Sequence, residues 1–261
     1  MYTPKTASPL MLAVCALTSI LFLWWFTGQA REIHATYDSI SQQLEAQSTS
    51  VSTATVSNAA IHIPTWSLFQ DGNIWSLTSK HRQLDTDHVP NLVAAPVAHT
   101  AGDIQIAKQI VPQLTGLFKA AATDGTPLMI SSAYRSPNDQ QEIYDFYLRA
   151  YGQQYVNSYV ALPGTSEHQT GLAVDIASYS NDCAASANNC SLDYNAIRWL
   201  QKNATRFGFI QRYPTGKQSI TGVASEAWHY RHVGVPLATF LFETGLTLDE
   251  FVEQAAPGYA Q

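Results

Sequence analysis

The stretch "GLAVDIA" (171–177) constrains this chain more than any other segment. Side chains alternate along a strand, so Leu172, Val174 and Ile176 share one face, while Gly171, Ala173, Asp175 and Ala177 share the other. The first face is apolar and belongs in a core. The second is nearly bare around a carboxylate, which leaves space beside Asp175 for an ion or a substrate. Gly171 permits an unusual backbone angle where the loop carrying His168 turns into the strand. His168 stands seven positions before Asp175. Taken singly, Asp175 reads as a surface carboxylate and His168 as an ordinary loop histidine.

A second segment, "SEAWHYRHVG" (225–234), changes that balance by crowding Glu226, His229, Arg231 and His232 beside Trp228, which supplies an apolar wall. A zinc peptidase needs three protein ligands, an open position for water and a separate general base. His168, Asp175 and His229 supply the ligands, with Glu226 left as base. His232 competes with His229 for the third place, but positions 229 and 232 of a strand face opposite sides, so one of the two reaches the metal. Without the first segment, this one would read as a surface strand with a charged face and a structural tryptophan. Other hydrolase templates fail: the chain contains no Ser-x-x-Lys, no His-Glu-x-x-His and no Gly-x-Ser-x-Gly. Ser166 beside His168 is a weak Ser/His pairing and fits better as a lining residue.

The rest of the 261-residue chain is organised around such a domain. "PLMLAVCALTSILFLWWF" (9–26) is apolar for about the length of a bilayer crossing, with Lys5 ahead of it and Trp24 and Trp25 at its far edge. It predicts a single-pass anchor over residues 1–30; the small residues Gly28 and Ala30 keep a cleaved signal segment, and hence secretion, as the alternative. Residues 31–60 predict a stalk: a short helical stripe through Ile33, Tyr37, Ile40 and Leu44, then a Ser/Thr-rich linker. Cys183 and Cys190, with six residues between them in an Asn/Ala/Ser loop, suit a disulfide outside the cell. Charged residues are 13% and the net charge is −6, which argues against a nucleic-acid partner.

Residues 61–261 predict an α+β domain around a small antiparallel sheet flanked by helices. Strands are expected at 126–136, 171–177, 209–214 and 227–233. Helices are expected at 103–125, with Pro112 kinking it or opening a second segment, at 138–152 behind a Ser136 cap, and at 193–208, 236–245 and 247–254.

Three spaced motifs resemble one known family. "SEHQTGLAVD" (166–175) is similar to the Ser-x-His-x-x-Gly-x-Ala-x-Asp signature of VanY-type D-alanyl-D-alanine carboxypeptidases, relatives of the VanX dipeptidases. "EAWHYRHVG" (226–234) resembles their Glu-x-Trp-His segment, and "SAYRSPNDQQ" (132–141) their Tyr-Arg-Ser element. The resemblance spans roughly residues 75 to 240, including "SKHRQLDTDHVPNLV" (79–93). It implies a hedgehog/DD-peptidase-like fold with zinc on His168, Asp175 and His229, and Glu226 as base. It further implies that Arg135 stabilises the oxyanion, while Gln140, Ser166 and Trp228 meet the substrate, a peptidoglycan stem peptide. Gln140 falls in the first turn of the helix begun by Pro137, where the helix dipole would favour a terminal carboxylate. The implied activity is removal of the C-terminal D-residue at the outer face of the membrane. An L,D-carboxypeptidase acting on tetrapeptides and a non-catalytic wall-binding module remain the alternatives.

Overall fold

A computed structural model describes residues 63–85 and 88–259. The apolar run at 9–26 and the stalk and linker lie outside the described residues, among which no helix is long and apolar enough to cross a membrane. The first helix, α1, is short (Thr65–Phe69). Strands β1 (Leu92–Ala94) and β2 (Gln105–Ala107) form a two-stranded ribbon. The main sheet has four strands, all antiparallel, in the order β3 (Leu128–Ser132), β4 (Ala173–Ser178), β6 (Glu226–His232), β5 (Phe209–Tyr213). Around it lie helices α2 (Val111–Thr123), α3 (Pro137–Tyr151), α4 (Gln153–Tyr159), α5 (Asn181–Ala185), α6 (Tyr194–Asn203), α7 (Gln218–Thr221), α8 (Val235–Thr244) and α9 (Leu248–Ala255).

Leu172, Val174 and Ile176 enter the larger core, where they meet Leu114, Leu117 and Phe118 of α2 and Leu200 of α6. A second core joins Ile210 and Val233 to Leu237 and Leu241 of α8 and Leu248 and Val252 of α9. The opposite face of β4 is less open than its small residues suggest. Ala173 and Ala177 are both buried; Ala177 packs on Met129 and Cys183, and Ala173 stands across the strands from Arg231. Small side chains here admit close neighbours, and only the surroundings of Asp175 remain accessible. Cys183 is joined to Cys190 by a disulfide.

Local signals set several boundaries. Ser136 accepts from the backbone N–H of Asp139, whose carboxylate accepts in return from the Ser136 N–H, a capping box that opens α3. Asp193 caps α6 by accepting from the Ala196 N–H, and Thr247 opens α9 with a second capping box, paired with Glu250. The expected helix at 103–125 is corrected. Gln105–Ala107 is a strand paired with Leu92–Ala94, a 3₁₀ turn follows over Lys108–Ile110, and α2 begins at Val111 with Pro112 in its first turn. Pro112 lacks the N–H that an interior position would need, so it opens the helix and does not kink one. The expected 193–208 helix likewise tightens to a 3₁₀ turn at Ala204–Phe207. Ala196 in its first turn and Leu200 one turn on are fully buried.

Gly171 is where the fold tolerates no side chain. Its φ is +66°, and a Cβ there would lie 2.9 Å from the backbone nitrogen of Ala107, which itself donates to the Gly171 carbonyl. Gly171→Ala therefore combines a left-handed backbone with a clash against backbone, and we expect a loss of about 1–3 kcal/mol. A urea unfolding midpoint unchanged from wild type would contradict this.

Candidate active site

Antiparallel register brings the site together. In the β4–β6 pairing Asp175 lies directly opposite His229, so their side chains emerge side by side on one face. His168 arrives from a buried 3₁₀ turn, Glu167–Thr170, that ends at Gly171. Two register irregularities lie beside these residues. One, in β3 between Ile130 and Ser132, faces Asp175. The other separates the pairs Gln211–Tyr230 and Tyr213–Glu226. Such irregularities re-aim side chains, and here Glu226 turns to the side of His229, with its Oε2 3.7 Å from His229 Nδ1 despite their odd spacing.

The two histidines present different nitrogens. His168 Nδ1 lies 2.6 Å from the Ala133 carbonyl and donates to it in the neutral ring, which leaves the Nε2 lone pair facing Asp175 Oδ1 at 3.4 Å. His229 offers Nδ1, 3.2 Å from the same oxygen. His168 Nε2 and Asp175 Oδ1 are buried with no hydrogen-bond partner. One ligand atom from each of His168, Asp175 and His229 falls within 4.8 Å of the others. Two imidazole nitrogens and a carboxylate oxygen converging without mutual satisfaction fit a cation, and the mixed N/O set suits zinc better than calcium or magnesium. His232 is not brought to this cluster. It is buried against the edge of Phe209, 5.0 Å between ring centres.

Burial and neighbouring charge divide the titratable groups. Burial, aided by the Arg135 charge, lowers His168 to about 4. Burial would lower His229 as well, but the neighbouring Asp175 and Glu167 carboxylates outweigh it and hold the ring at about 9. Burial raises Glu226 to about 7, against the attraction of His229. Asp175 is held well below its ordinary value because His168 and His229 outweigh its burial. A carboxyl near 7 between a cationic partner and an open cleft is poised to exchange protons at neutral pH.

These groups floor a cleft of about 290 Å³ that Arg135, Gln140, Ser166 and Trp228 also line. Arg135 has a buried Nε without a partner. Gln140 donates from Nε2 to the Ala161 carbonyl at 2.8 Å and leaves Oε1 unpartnered. The start of α3 is already compensated, since the Asp139 carboxylate occupies it and the Gln140 N–H is bonded to the Ser136 carbonyl. An anion in the cleft would therefore meet the Arg135 guanidinium, while the unpartnered Gln140 Oε1 can only accept and suits a donor such as a substrate N–H. Tyr147, Tyr155 and Tyr159 form part of the wall. With Tyr151 they make a continuous aromatic stack across α3 and α4, Tyr147–Tyr155 at 5.6 Å and Tyr155–Tyr159 at 4.9 Å.

The sequence reading gave no role to Glu167, Arg212 or Asp249. All three are buried in one ionic network under the site, together with Arg231. Arg212 offered a signal: it shares the inward face of β5 with Ile210, where a charge needs a partner.

A profile of the VanY family, D-alanyl-D-alanine carboxypeptidase, matches residues 103–235. The chain belongs to the VanY family. Among its relatives is a D-alanyl-D-alanine carboxypeptidase of Enterococcus faecalis, 39% identical over 191 residues that cover 70% of this chain and 67% of that protein. A variant of the vancomycin-resistance D,D-pentapeptidase VanY, solved in complex with Zn(II), is 36% identical with a TM-score of 0.60, covering 68% of this chain and 98% of that one. The LD-carboxypeptidase LdcB is 34% identical with a TM-score of 0.62, covering 70% and 87%. The VanY fold is α+β, with antiparallel sheets flanked by helices, as the four-stranded sheet here shows.

The site predicts how stability depends on pH when no metal is bound. A histidine raised from 6.5 to about 9 and a carboxyl raised from 4.5 to about 7 both favour folding below their unfolded values and lose that contribution as pH climbs through the folded ones. His168 acts oppositely, costing stability as pH falls from 6.5 toward 4. Chelator-treated protein should thus show a lower urea midpoint at pH 9 than at pH 6.5. An equal or higher midpoint at pH 9 would contradict these assignments.

Proposed function

We propose that this protein is a zinc-dependent D-alanyl-D-alanine carboxypeptidase that removes the C-terminal D-residue from peptidoglycan stem peptides. The observation that carries this reading is the convergence of His168 Nε2, Asp175 Oδ1 and His229 Nδ1 beside the Glu226 carboxyl. The activities named for the relatives support it.

Zinc held by those three residues would polarise the last peptide carbonyl and lower the pKa of a water to about 7. Glu226, beside His229 and facing the cleft, accepts the proton of the attacking water and returns it to the leaving amine. Arg135, half-buried with an unpartnered Nε, donates to the oxyanion as the carbonyl becomes tetrahedral. Ser166 and the Gln140 amide contact the terminal residue, and Trp228 with the tyrosine wall packs on the peptide behind it. We also place the catalytic domain outside the cell, tethered by the apolar run at 9–26 or released if that segment is cleaved. The Cys183–Cys190 bridge supports the oxidising compartment.

Incubation with defined penta- and tetrapeptide stems, followed by mass spectrometry, tests the reading. The pentapeptide should lose one D-alanine. Cleavage of the tetrapeptide alone would replace it with an L,D-carboxypeptidase, and no product from zinc-loaded protein would leave a binding module.

Variants separate base from ligand. Glu226→Gln should retain zinc while turnover falls by about a hundred- to ten-thousand-fold. His229→Ala should lose zinc, and His232→Ala should keep both zinc and most activity. Wild-type turnover in Glu226→Gln would remove the base assignment, and loss of zinc in His232→Ala alone would move the ligand.

A further inference from the structure

Beneath the metal-site residues runs a chain of buried ionic contacts that reaches the cleft lining at Glu167. Glu167, immediately before His168, is 1% exposed. Its Oε1 accepts from Arg212 Nε at 2.8 Å and from Arg231 Nη1 at 2.9 Å. Its Oε2 lies 3.4 Å from Nε2 of His229. Arg212 in turn grips both oxygens of Asp249, the second residue of α9, with Nη2 3.1 Å from Oδ1. Arg231 is anchored to the Ser76 and Ile74 carbonyls at 2.8 and 3.2 Å. Two carboxylates are thus matched by two guanidiniums, all withdrawn from water.

That arrangement ends on the nitrogen of His229 that the cluster does not use. A neutral imidazole has one N–H and one lone pair, and the hydrogen bond made by one nitrogen fixes which is which. A carboxylate can only accept, so Glu167 places the proton on Nε2 and leaves the Nδ1 lone pair toward Asp175. For His168 the Ala133 carbonyl does the converse.

We propose that Glu167 is a positioning residue of the metal site, fixing the tautomer and tilt of His229. Through Arg212 and Asp249, the same contacts make the C-terminal helix α9 part of that site. The proposal rests on the metal reading given above, and metal affinity is the quantity it predicts. Removing an outer partner of a ligating histidine costs about ten- to a hundredfold in metal affinity. Breaking a purely structural ion network would lower the unfolding temperature of the metal-free protein but leave the zinc affinity of the folded protein unchanged.

The test is competition of the full chain with a chromophoric chelator for zinc, at neutral pH, on wild type, Glu167→Gln, Asp249→Asn and Lys217→Ala. Lys217 makes an ion pair with Glu250 of α9, at 3.0 Å, outside the network. Wild type must bind zinc; if it does not, the metal reading itself fails. Given that binding, Glu167→Gln should raise the zinc Kd by about ten- to a hundredfold. Asp249→Asn should raise it severalfold, and Lys217→Ala should leave it within about twofold of wild type. An unchanged Kd in Glu167→Gln, or an equal rise in Lys217→Ala and Asp249→Asn, would overturn the proposal. Should Glu167→Gln fail to fold, nitrogen-15 spectra of the zinc-loaded wild type decide: His229 should carry its proton on Nε2, and a proton on Nδ1 overturns the proposal.

Discussion

Everything in the site depends on the register that sets Asp175 across from His229. Side-chain direction in a strand alternates, so a slip of one residue would put Tyr230 opposite Asp175 and turn every alternate side chain to the wrong face. The neighbouring pair resists that slip. Val174 faces Tyr230, both buried in the larger core with Leu172 and Ile176, and no carboxylate could take Val174's place there without a partner. The apolar face of β4 therefore does chemical service indirectly, by holding an acid and an imidazole together on the other side. Gly171 closes the same arrangement at its upstream end, because only its left-handed backbone lets the His168 turn enter β4 against Ala107.

Beneath that pair the protein carries a cost that packing alone would avoid. Arg212 and Arg231 are fully buried, and charges in such places stabilise little once desolvation is counted, although removing one member of a pair costs about 3–5 kcal/mol. A well-packed apolar cluster could join β5, β6 and α9 as firmly. What an apolar cluster could not supply is an acceptor for His229 Nε2. The network thus relates the C-terminal helix, whose own residues line none of the cleft, to the geometry of a ligand on β6.

Local chemistry was what the sequence displayed most clearly. Ser136, Asp193 and Thr247 announced their helices because a cap acts within a turn, and the alternation in 171–177 announced β4 because period two is unmistakable around Asp175. The pattern failed where partners were remote. Ile104 and Ala107 fit a helical face equally well, and the pairing with Leu92–Ala94 that makes β2 a strand involves no adjacent residue. Likewise, "SEHQ" shows His168 as a ligand candidate but presents Glu167 as a polar loop residue, since its partners come from β5, β6 and, beyond them, α9. Glu226 and His229 were grouped correctly by proximity, though strict alternation would have sent them to opposite faces; the irregular β5–β6 register reconciles the two.

The central claim is that His168, Asp175 and His229 together make a zinc site with Glu226 beside it and free. Anomalous diffraction from crystals of the zinc-loaded protein, recorded on either side of the zinc absorption edge, tests this directly. The account predicts one ion per chain, within about 2.0–2.2 Å of His168 Nε2, an Asp175 oxygen and His229 Nδ1, with the Glu226 carboxylate uncoordinated. An ion bound by His232, by Glu226 in place of one of the three, or by His229 through Nε2 would contradict it.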